Sequence, residues 1–139
     1  MSLATYSGLK TSIASYLNRD DLTAQIPDFI TLTENKLNRD LKVRVNLIRS
    51  TTTTTANQDF YNLPSNMIEL RNVTYTNTGN NYALSYMSPE SLSREYGTYQ
   101  SGFPRAYSTI GLYMKLAPVP DAAYSVDVNY YQKLTPLSD

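Results

Sequence analysis

The chain has 139 residues and carries twelve Lys and Arg against twelve Asp and Glu, so its formal net charge at pH 7 is zero. It contains neither Cys nor His, which excludes disulfides, thiolate metal sites and thiol nucleophiles and removes the commonest general base. Zero net charge argues against a free-standing nucleic-acid binder, because capturing phosphate requires a basic field. Zero net charge does not exclude a protein that lines a channel for DNA without binding the DNA tightly.

The length is that of one domain, and a hydrophobic content of 41% is enough for a modest core. No apolar run approaches the ~20 residues that a membrane-spanning helix needs. The first residues also lack the basic and apolar regions of a signal peptide. We therefore expect no membrane association and synthesis in the cytoplasm.

Tyrosine is unusually frequent, with thirteen Tyr beside three Phe and no Trp. Because Tyr can bury its ring while its hydroxyl remains in contact with solvent, it suits surfaces that are partly buried in the core and partly available to an interface. A sequence that is simply rich in β-strands has the same bias. The composition leaves both explanations open.

The first fifty residues have helical periodicity. One apolar stripe follows a capping Thr5 and consists of Tyr6, Leu9, Ile13, Tyr16 and Leu17. A second stripe predicts a short element over residues 21–26 and a helix over about 27–41, because Pro27 and Asp28 suit a first helical turn. Two antiparallel helices would bury both stripes against each other. Residues 1–49 are therefore predicted to form a helical region.

The periodicity changes at Val43, where alternation of apolar residues predicts the first strand. The run Thr51–Thr55 is β-branched and predicts an edge strand. Over residues 67–76 the alternation slips at Arg71–Asn72, which predicts a β-bulge. Residues 77–81 have the Asn and Gly composition of a hairpin connection.

The last third of the chain predicts one short helix and the remaining strands. Ser88, Pro89 and Glu90 form a helix start and Gly97 a natural stop, so a helix is expected near residues 89–96. The predicted fold class is α+β, with an N-terminal helical pair followed by an antiparallel β sandwich or barrel-like sheet with one short inserted helix. Residues 1–49 and 50–139 are expected to form one compact structural unit. The predicted core of the β region comprises Leu70, Val73, Leu84, Leu112, Met114, Leu116, Val126 and Val128.

Carboxylates offer the one enzymatic option, since glycoside hydrolysis runs on two acids alone. The candidates are Asp20, Asp21, Glu69, Glu90, Glu95, Asp121 and Asp127. No spacing forces any two of them together. Asp20 and Asp21 precede a helical stretch, where the dipole stabilises acids, and Asp121 suits a turn. We therefore predict a protein that is not an enzyme, with no catalytic residues, no metal site and no cofactor.

One stretch of fourteen residues is basic and contains a single acid, Asp40. Its cations are Lys36, Arg39, Lys42, Arg44 and Arg49. Lys36 and Arg39 fall near one helical face by their spacing. The favoured explanation is that cations lie at a helix C-terminus, where the dipole stabilises them. The alternative is that they contact DNA or an acidic partner surface.

Several segments, taken in order, carry a resemblance. The final block reads Leu116-Ala-Pro-Val-Pro-Asp-Ala-Ala-Tyr124, then Tyr130-Tyr131, then Thr135-Pro-Leu-Ser-Asp139, and the other matching segments are residues 3–9, 13–19, 61–71, 86–92 and 102–107. Together they resemble the head-to-tail adaptor proteins of short-tailed, podovirus-like bacteriophages. Each motif is a packing or turn signal without chemistry, so the resemblance depends on their order. Tyr130 and Tyr131 are candidate interface aromatics.

The resemblance implies a structural virion protein in the neck, between capsid portal and tail. Copies of such adaptors form a ring, usually twelvefold, below the portal, which extends the DNA channel and offers a platform to tail or nozzle proteins. The isolated subunit is expected to be a monomer that assembles on the portal, and genomic DNA passes without sequence-specific binding. Lys36, Arg39, Lys42 and Arg44 then become candidates for channel lining or portal contact. Relatives continue past Asp139 with further helices, so this chain is either a shortened adaptor or a fragment.

An alternative function is a carbohydrate- or protein-binding β module of a phage tail or surface protein. Tyr rings stack on sugars, and Asp and Asn bind hydroxyl groups. This alternative predicts an open groove lined by several Tyr from neighbouring strands.

Overall fold

The computed structural model describes residues 3–97 and 100–139. The chain divides into two compact units. The first comprises Met1–Val43 together with Lys133–Asp139, and the second comprises Arg44–Gln132. The predicted division into residues 1–49 and 50–139 stays a prediction.

The first unit contains two helices, α1 (Tyr6–Leu17) and α2 (Ile26–Asp40). Helix α1 begins behind Thr5, whose hydroxyl accepts a hydrogen bond from the Gly8 N–H at 3.1 Å, which is the expected N-cap. It ends at Asn18, which adopts a left-handed conformation with φ 49°. Helix α2 has Pro27 in its first turn, as predicted. Residues 21–25, predicted as part of a short element, form turns.

The second unit contains ten strands and one helix in the described residues. In chain order they are β1 (Leu47–Thr53), β2 (Phe60–Asn62), β3 (Met67–Asn77), β4 (Asn80–Ala83), β5 (Ser85–Tyr86), α3 (Pro89–Tyr96), β6 (Ser101–Gly102), β7 (Ala106–Ile110), β8 (Tyr113–Ala117), β9 (Val119–Pro120) and β10 (Ser125–Gln132). One four-stranded sheet has the order β1-β10-β3-β4 and another has β2-β8-β7-β5, while β6 and β9 form a two-stranded sheet. All pairs are antiparallel except β5 with β7 and β6 with β9. The predicted α+β class is confirmed.

The two four-stranded sheets share one hydrophobic core, as in a β-sandwich. Alternate residues of β3 and β10 supply one side, among them Val73, Val126 and Val128, and β8 supplies Met114 and Leu116 from the other sheet. A second, smaller cluster forms where Leu92 of α3 meets Ala106 and Ala117. Leu92 is thereby the residue that attaches the inserted helix to the sheet.

Two details of strand register follow from the sequence pattern. Arg71 has no opposite residue on β10, because the register shifts between Asn72 and Leu70, and this is the predicted bulge. The β3–β4 hairpin turns on Thr78 and Gly79, which have φ 47° and 82°. Positive φ at both central residues matches the twist of the flanking strands, which explains the Asn and Gly composition.

Two predictions were wrong. Leu112 is 63% exposed, because the β7–β8 hairpin turns before Tyr113 and leaves Leu112 at its tip rather than in the strand. The first strand begins at Leu47, while residues 44–46 form a 3₁₀ turn and leave Val45 84% exposed. Of the remaining predicted core residues, Leu70 is half-buried and the others are buried.

The edge strand β1 is tied to β10 by a buried carboxylate. Asp127 is 5% exposed and accepts hydrogen bonds from the Thr51 hydroxyl and from an Arg49 guanidinium nitrogen, each at 2.6 Å. The Thr51 hydroxyl and then Arg49 hold the pKa of Asp127 below its ordinary value, whereas burial acts in the opposite direction. Arg49 is therefore a structural cation, and the Thr-rich strand contributes a hydrogen bond as well as its β-branched shape.

We expect Leu116→Ala and Val126→Ala each to lower the free energy of unfolding by roughly 1 to 4 kcal/mol, because both side chains are fully buried and leave cavities. Denaturant unfolding measures the change. Leu112→Ala is the matched control, and its exposed side chain should change stability by less than about 0.5 kcal/mol. Equal midpoints for all three variants would contradict the sandwich core.

We expect Asp127→Asn to be destabilising at neutral pH and nearly silent in acid. Because the folded-state pKa of Asp127 is depressed, its contribution to stability is full above the unfolded pKa of about 3.9 and is lost as pH falls through the folded value. Urea midpoints of the wild type and the variant should therefore converge as pH falls through the folded-state pKa of Asp127. A difference that is independent of pH would show that the charge of Asp127 contributes nothing.

Candidate assembly surfaces

The predicted basic residues lie along the end of the first unit and the beginning of the second. Lys36 and Arg39 are exposed and stand one turn apart on α2. The Arg39 guanidinium pairs with Asp40 at 3.2 Å, with both side chains more than half exposed. Lys42 follows the helix, and Arg44 is the first residue of the 3₁₀ turn. Arg39 alone of these lies in the last turn of α2, where the helix dipole favours a cation.

The two candidate interface tyrosines have different environments. Tyr130 is 5% exposed in the sandwich core, and its hydroxyl lies 3.5 Å from Asn66 Oδ1. Tyr131 is half-buried, and its hydroxyl accepts a hydrogen bond from Arg71 at 3.3 Å. Neighbours on a strand point to opposite faces of the sheet, so only Tyr131 offers a ring to a partner. An interface role for either residue stays a prediction.

The first unit contains an apolar groove between α1 and α2. The groove has a volume of about 350 Å³ and is lined by Leu9, Ile13, Phe29, Ile30, Thr33, Glu34, Leu37 and Leu137. Seven of these residues belong to the helices. Leu137 belongs to residues 133–139, which we call the strap, an extended segment without helix or strand.

Three hydrogen bonds hold the strap on the helices. The Leu134 N–H donates to Asn38 Oδ1 at 2.7 Å, and the Leu137 N–H donates to Glu34 Oε1 at 2.8 Å. At the other end the Ser7 N–H donates to Asp139 Oδ1 at 2.9 Å. A carboxylate at this position also interacts favourably with the N-terminal end of the α1 dipole. All three bonds lie at exposed positions.

The second unit has an open cleft of about 500 Å³. Residues 67–71 of β3 form one wall, and Tyr86, Tyr107 and Thr109 line another part of it. Strand β4 pairs with β3 only over residues 74–77, after which the chain crosses to β5 in the other sheet. The cleft is therefore lined by the part of β3 that β4 does not pair with and by strands β5 and β7 of the other sheet.

The β7–β8 hairpin presents an apolar tip. Ile110, Leu112 and Tyr113 are 42%, 63% and 51% exposed. Apolar side chains clustered on an exposed tip are typical of surfaces that bind another protein. The tip, the cleft and the strap groove are the three candidate assembly surfaces.

Among the described residues, no three acids lie close enough together to hold a metal ion. Asp21 pairs with Arg19. Asp121 accepts a hydrogen bond from the Tyr124 hydroxyl at 2.5 Å, and this bond together with burial raises the pKa of Tyr124 to about 12. Asp121 is thus a turn residue that fixes a core ring, as its position after Pro120 indicated.

The strap was not foreseen as a separate element. A possible signal was the spacing of Leu134 and Leu137, two apolar residues in an otherwise polar stretch that contains Pro136. Such spacing is too short for a periodicity argument. The burial of Asp127 was likewise hidden, because nothing in the sequence indicates that Thr51 lies opposite it on β1, with Arg49 two residues away on the same face.

Within the described parts of the chain, no helix has the length and apolar character needed to cross a membrane. A search of curated proteins found no match to the chain. The family model described as SU10 adaptor protein matches residues 4–139. This range lacks only the first three residues of the first unit. Apart from Leu3, it contains every segment that carries the resemblance noted above. The family is one of phage adaptor proteins, which are structural proteins. The chain belongs to the SU10 adaptor protein family.

Proposed function

We propose that the protein is a ring-forming head-to-tail adaptor of the virion neck. Its copies attach below the portal, extend the DNA channel and provide a platform for tail proteins. The observation that carries this proposal is the family match over nearly the whole chain. A podovirus-like particle and a twelvefold ring are the specific form that the sequence resemblance implies.

Exposed apolar surface supports an assembly role. The helical unit carries a concave apolar groove, and the β7–β8 tip of the second unit adds exposed Leu112 and Tyr113. Outside an assembly, such surface with zero net charge gives little protection against association. Inside an assembly, the same surface provides contacts with neighbouring copies, portal and tail proteins.

The alternative, a carbohydrate-binding β module, has one observation in its favour. The cleft of the second unit contains Tyr86 and Tyr107 on the neighbouring strands β5 and β7. Tyr107 is only 5% exposed and packs edge-on to Tyr86 at 5.6 Å between ring centroids. Only Tyr86 therefore has a free face for a sugar, which is less than a stacking platform requires. A glycan array on the wild type and on Tyr86→Ala separates the two functions, since the adaptor predicts no specific hit for either.

The deciding experiment mixes the purified chain with purified portal protein and examines the product by electron microscopy. We expect a larger ring stacked on one end of the portal, and, at the same dilute concentration, a monomeric chain when portal is absent. Failure of the two proteins to associate under capsid-like salt and crowding would contradict the proposed function. A ring with a different subunit number would correct only the stoichiometry.

The basic residues provide a second prediction. In a DNA channel, weak and dispersed cations are preferable to a tight site, because DNA must slide without stalling. The isolated chain should therefore bind duplex DNA only weakly, and less still as salt rises. Sub-micromolar binding that does not respond to salt would contradict a channel role.

We expect conversion of Lys36, Arg39, Lys42 and Arg44 to Gln to leave the fold intact, because exposed charges contribute little to stability each. It should weaken assembly on the portal or retention of DNA in particles. A control with the same change in charge converts Lys10, Arg19, Arg94 and Arg105, all outside the three candidate surfaces, to Gln and should assemble normally. Unfolding of the first variant alone would show that its cations are structural.

A further inference from the structure

The strap joins the helical unit by a separate passage of the chain. The first unit is connected to the second at Val43–Arg44 and again at Gln132–Lys133. The strap is therefore the continuation of β10, a strand of the second unit, although its contacts are made on α1 and α2. Removing the strap from its groove would leave every helix and strand of the described chain unchanged.

The occupant of the groove is defined by the contacts on it. Leu137 supplies an apolar side chain to the groove, and the backbone N–H groups of Leu134 and Leu137 reach two side-chain acceptors on α2. Asp139 supplies the acceptor at the start of α1. A suitable occupant is thus an extended peptide with a leucine and, two residues later, an acid.

The strap is also held loosely. Leu134 and Leu137 remain 37% and 53% exposed, and the hydrogen bonds are all at exposed positions where water competes for the same groups. An element with few buried contacts opens more readily than the core of its protein. Opening leaves the apolar lining of Ile13, Phe29 and Leu37 without Leu137.

We propose that the groove between α1 and α2 is an acceptor site for the strap of a second copy of the chain. Exchange replaces each contact between strap and groove by an identical contact with the strap of a neighbour. The equilibrium between the two states therefore depends on the local concentration of the neighbouring strap and requires no new type of contact. The donor is attached to the β unit and the acceptor is the helical unit, so each exchange can link one copy to the next in a head-to-tail manner. This inference rests on the proposed ring, in which neighbouring copies are held close together.

The absence of Cys from the sequence permits a direct test on the full-length chain. Thr33→Cys places a thiol on the groove wall, and Leu137→Cys places one on the strap, since both residues line the same groove. The two single variants, one with an affinity tag, are mixed at increasing concentration and treated with a short bis-maleimide. Asn35→Cys replaces Thr33→Cys in the control, because a position two residues along a helix lies on the opposite side.

We expect a covalent adduct between the Thr33→Cys and Leu137→Cys chains, and a yield that rises roughly tenfold for a tenfold increase in concentration in the dilute range. The Asn35→Cys mixture should give only a background of collisional product. The double variant Thr33→Cys/Leu137→Cys, at low concentration, should form an internal link and remain a monomer. At high concentration it should also form covalent dimers and higher species.

Two outcomes would overturn the proposal. One is an efficient internal link in the double variant while the mixed single variants never exceed the Asn35→Cys control, which would confine the strap to its own chain. The other is no link in either experiment, and none when Ser138→Cys, which keeps Leu137, replaces Leu137→Cys. This result would show that the strap does not occupy the groove. Both experiments omit the portal, so they can fail while the portal-binding experiment succeeds, and the reverse also holds.

Discussion

The second unit depends on the position of β10 at the centre of its sheet. This strand pairs with β1 on one side and with β3 on the other, over almost its full length. Both faces of the strand make contacts. On one face, Val126, Val128 and Tyr130 enter the core. On the other face, Asp127 accepts hydrogen bonds from Arg49 and Thr51. The strand is formed by the last part of the β region in the sequence, so neither β1 nor β3 has its central partner until most of the chain is present. Such non-local pairing carries a large loop-closure cost, which the apolar side chains of β10 must offset.

Local signals in the sequence were sufficient for most elements. Helix α3 was predicted at its observed bounds because Ser88, Pro89 and Gly97 mark both ends by short-range chemistry. The bulge at Arg71 was visible as a change of phase in the alternation. The prediction for Leu112 was wrong because the alternation of Leu112 and Met114 does not show where the strand begins. The same sequence pattern results whether Leu112 lies in the strand or in the turn before it. The exposure of Leu112 is decided by the end of the tight turn between β7 and β8, in which Gly111 has φ 61°.

Long-range arrangement was not visible in the sequence. Nothing local indicates that β5 pairs with β7 in parallel or that β10 lies between β1 and β3, because strand order depends on the sum of many weak contacts. The environments of the candidate site residues were also not visible in the sequence. Charge spacing placed Arg49 in the same basic stretch as the exposed Lys36 and Arg39. It did not indicate that Arg49 binds the buried Asp127. Tyr130 and Tyr131 are adjacent in sequence and differ in exposure for the simple reason that strand neighbours point to opposite faces.

The two units use different means to hold their parts together, and this difference suits an adaptor. The β unit has a dry core in which Val73, Met114 and Leu116 are almost fully buried, so its shape is costly to change. The helical unit buries few residues in the described chain, chiefly Ile26, Ile30 and Ser12, and Phe29 and Leu32 of α2 remain more than half exposed. A helical pair with so little core has little stability of its own. Burial of its apolar side chains by neighbouring proteins would stabilise it further. The proposed assembly would then order the helical unit while the β unit keeps its form.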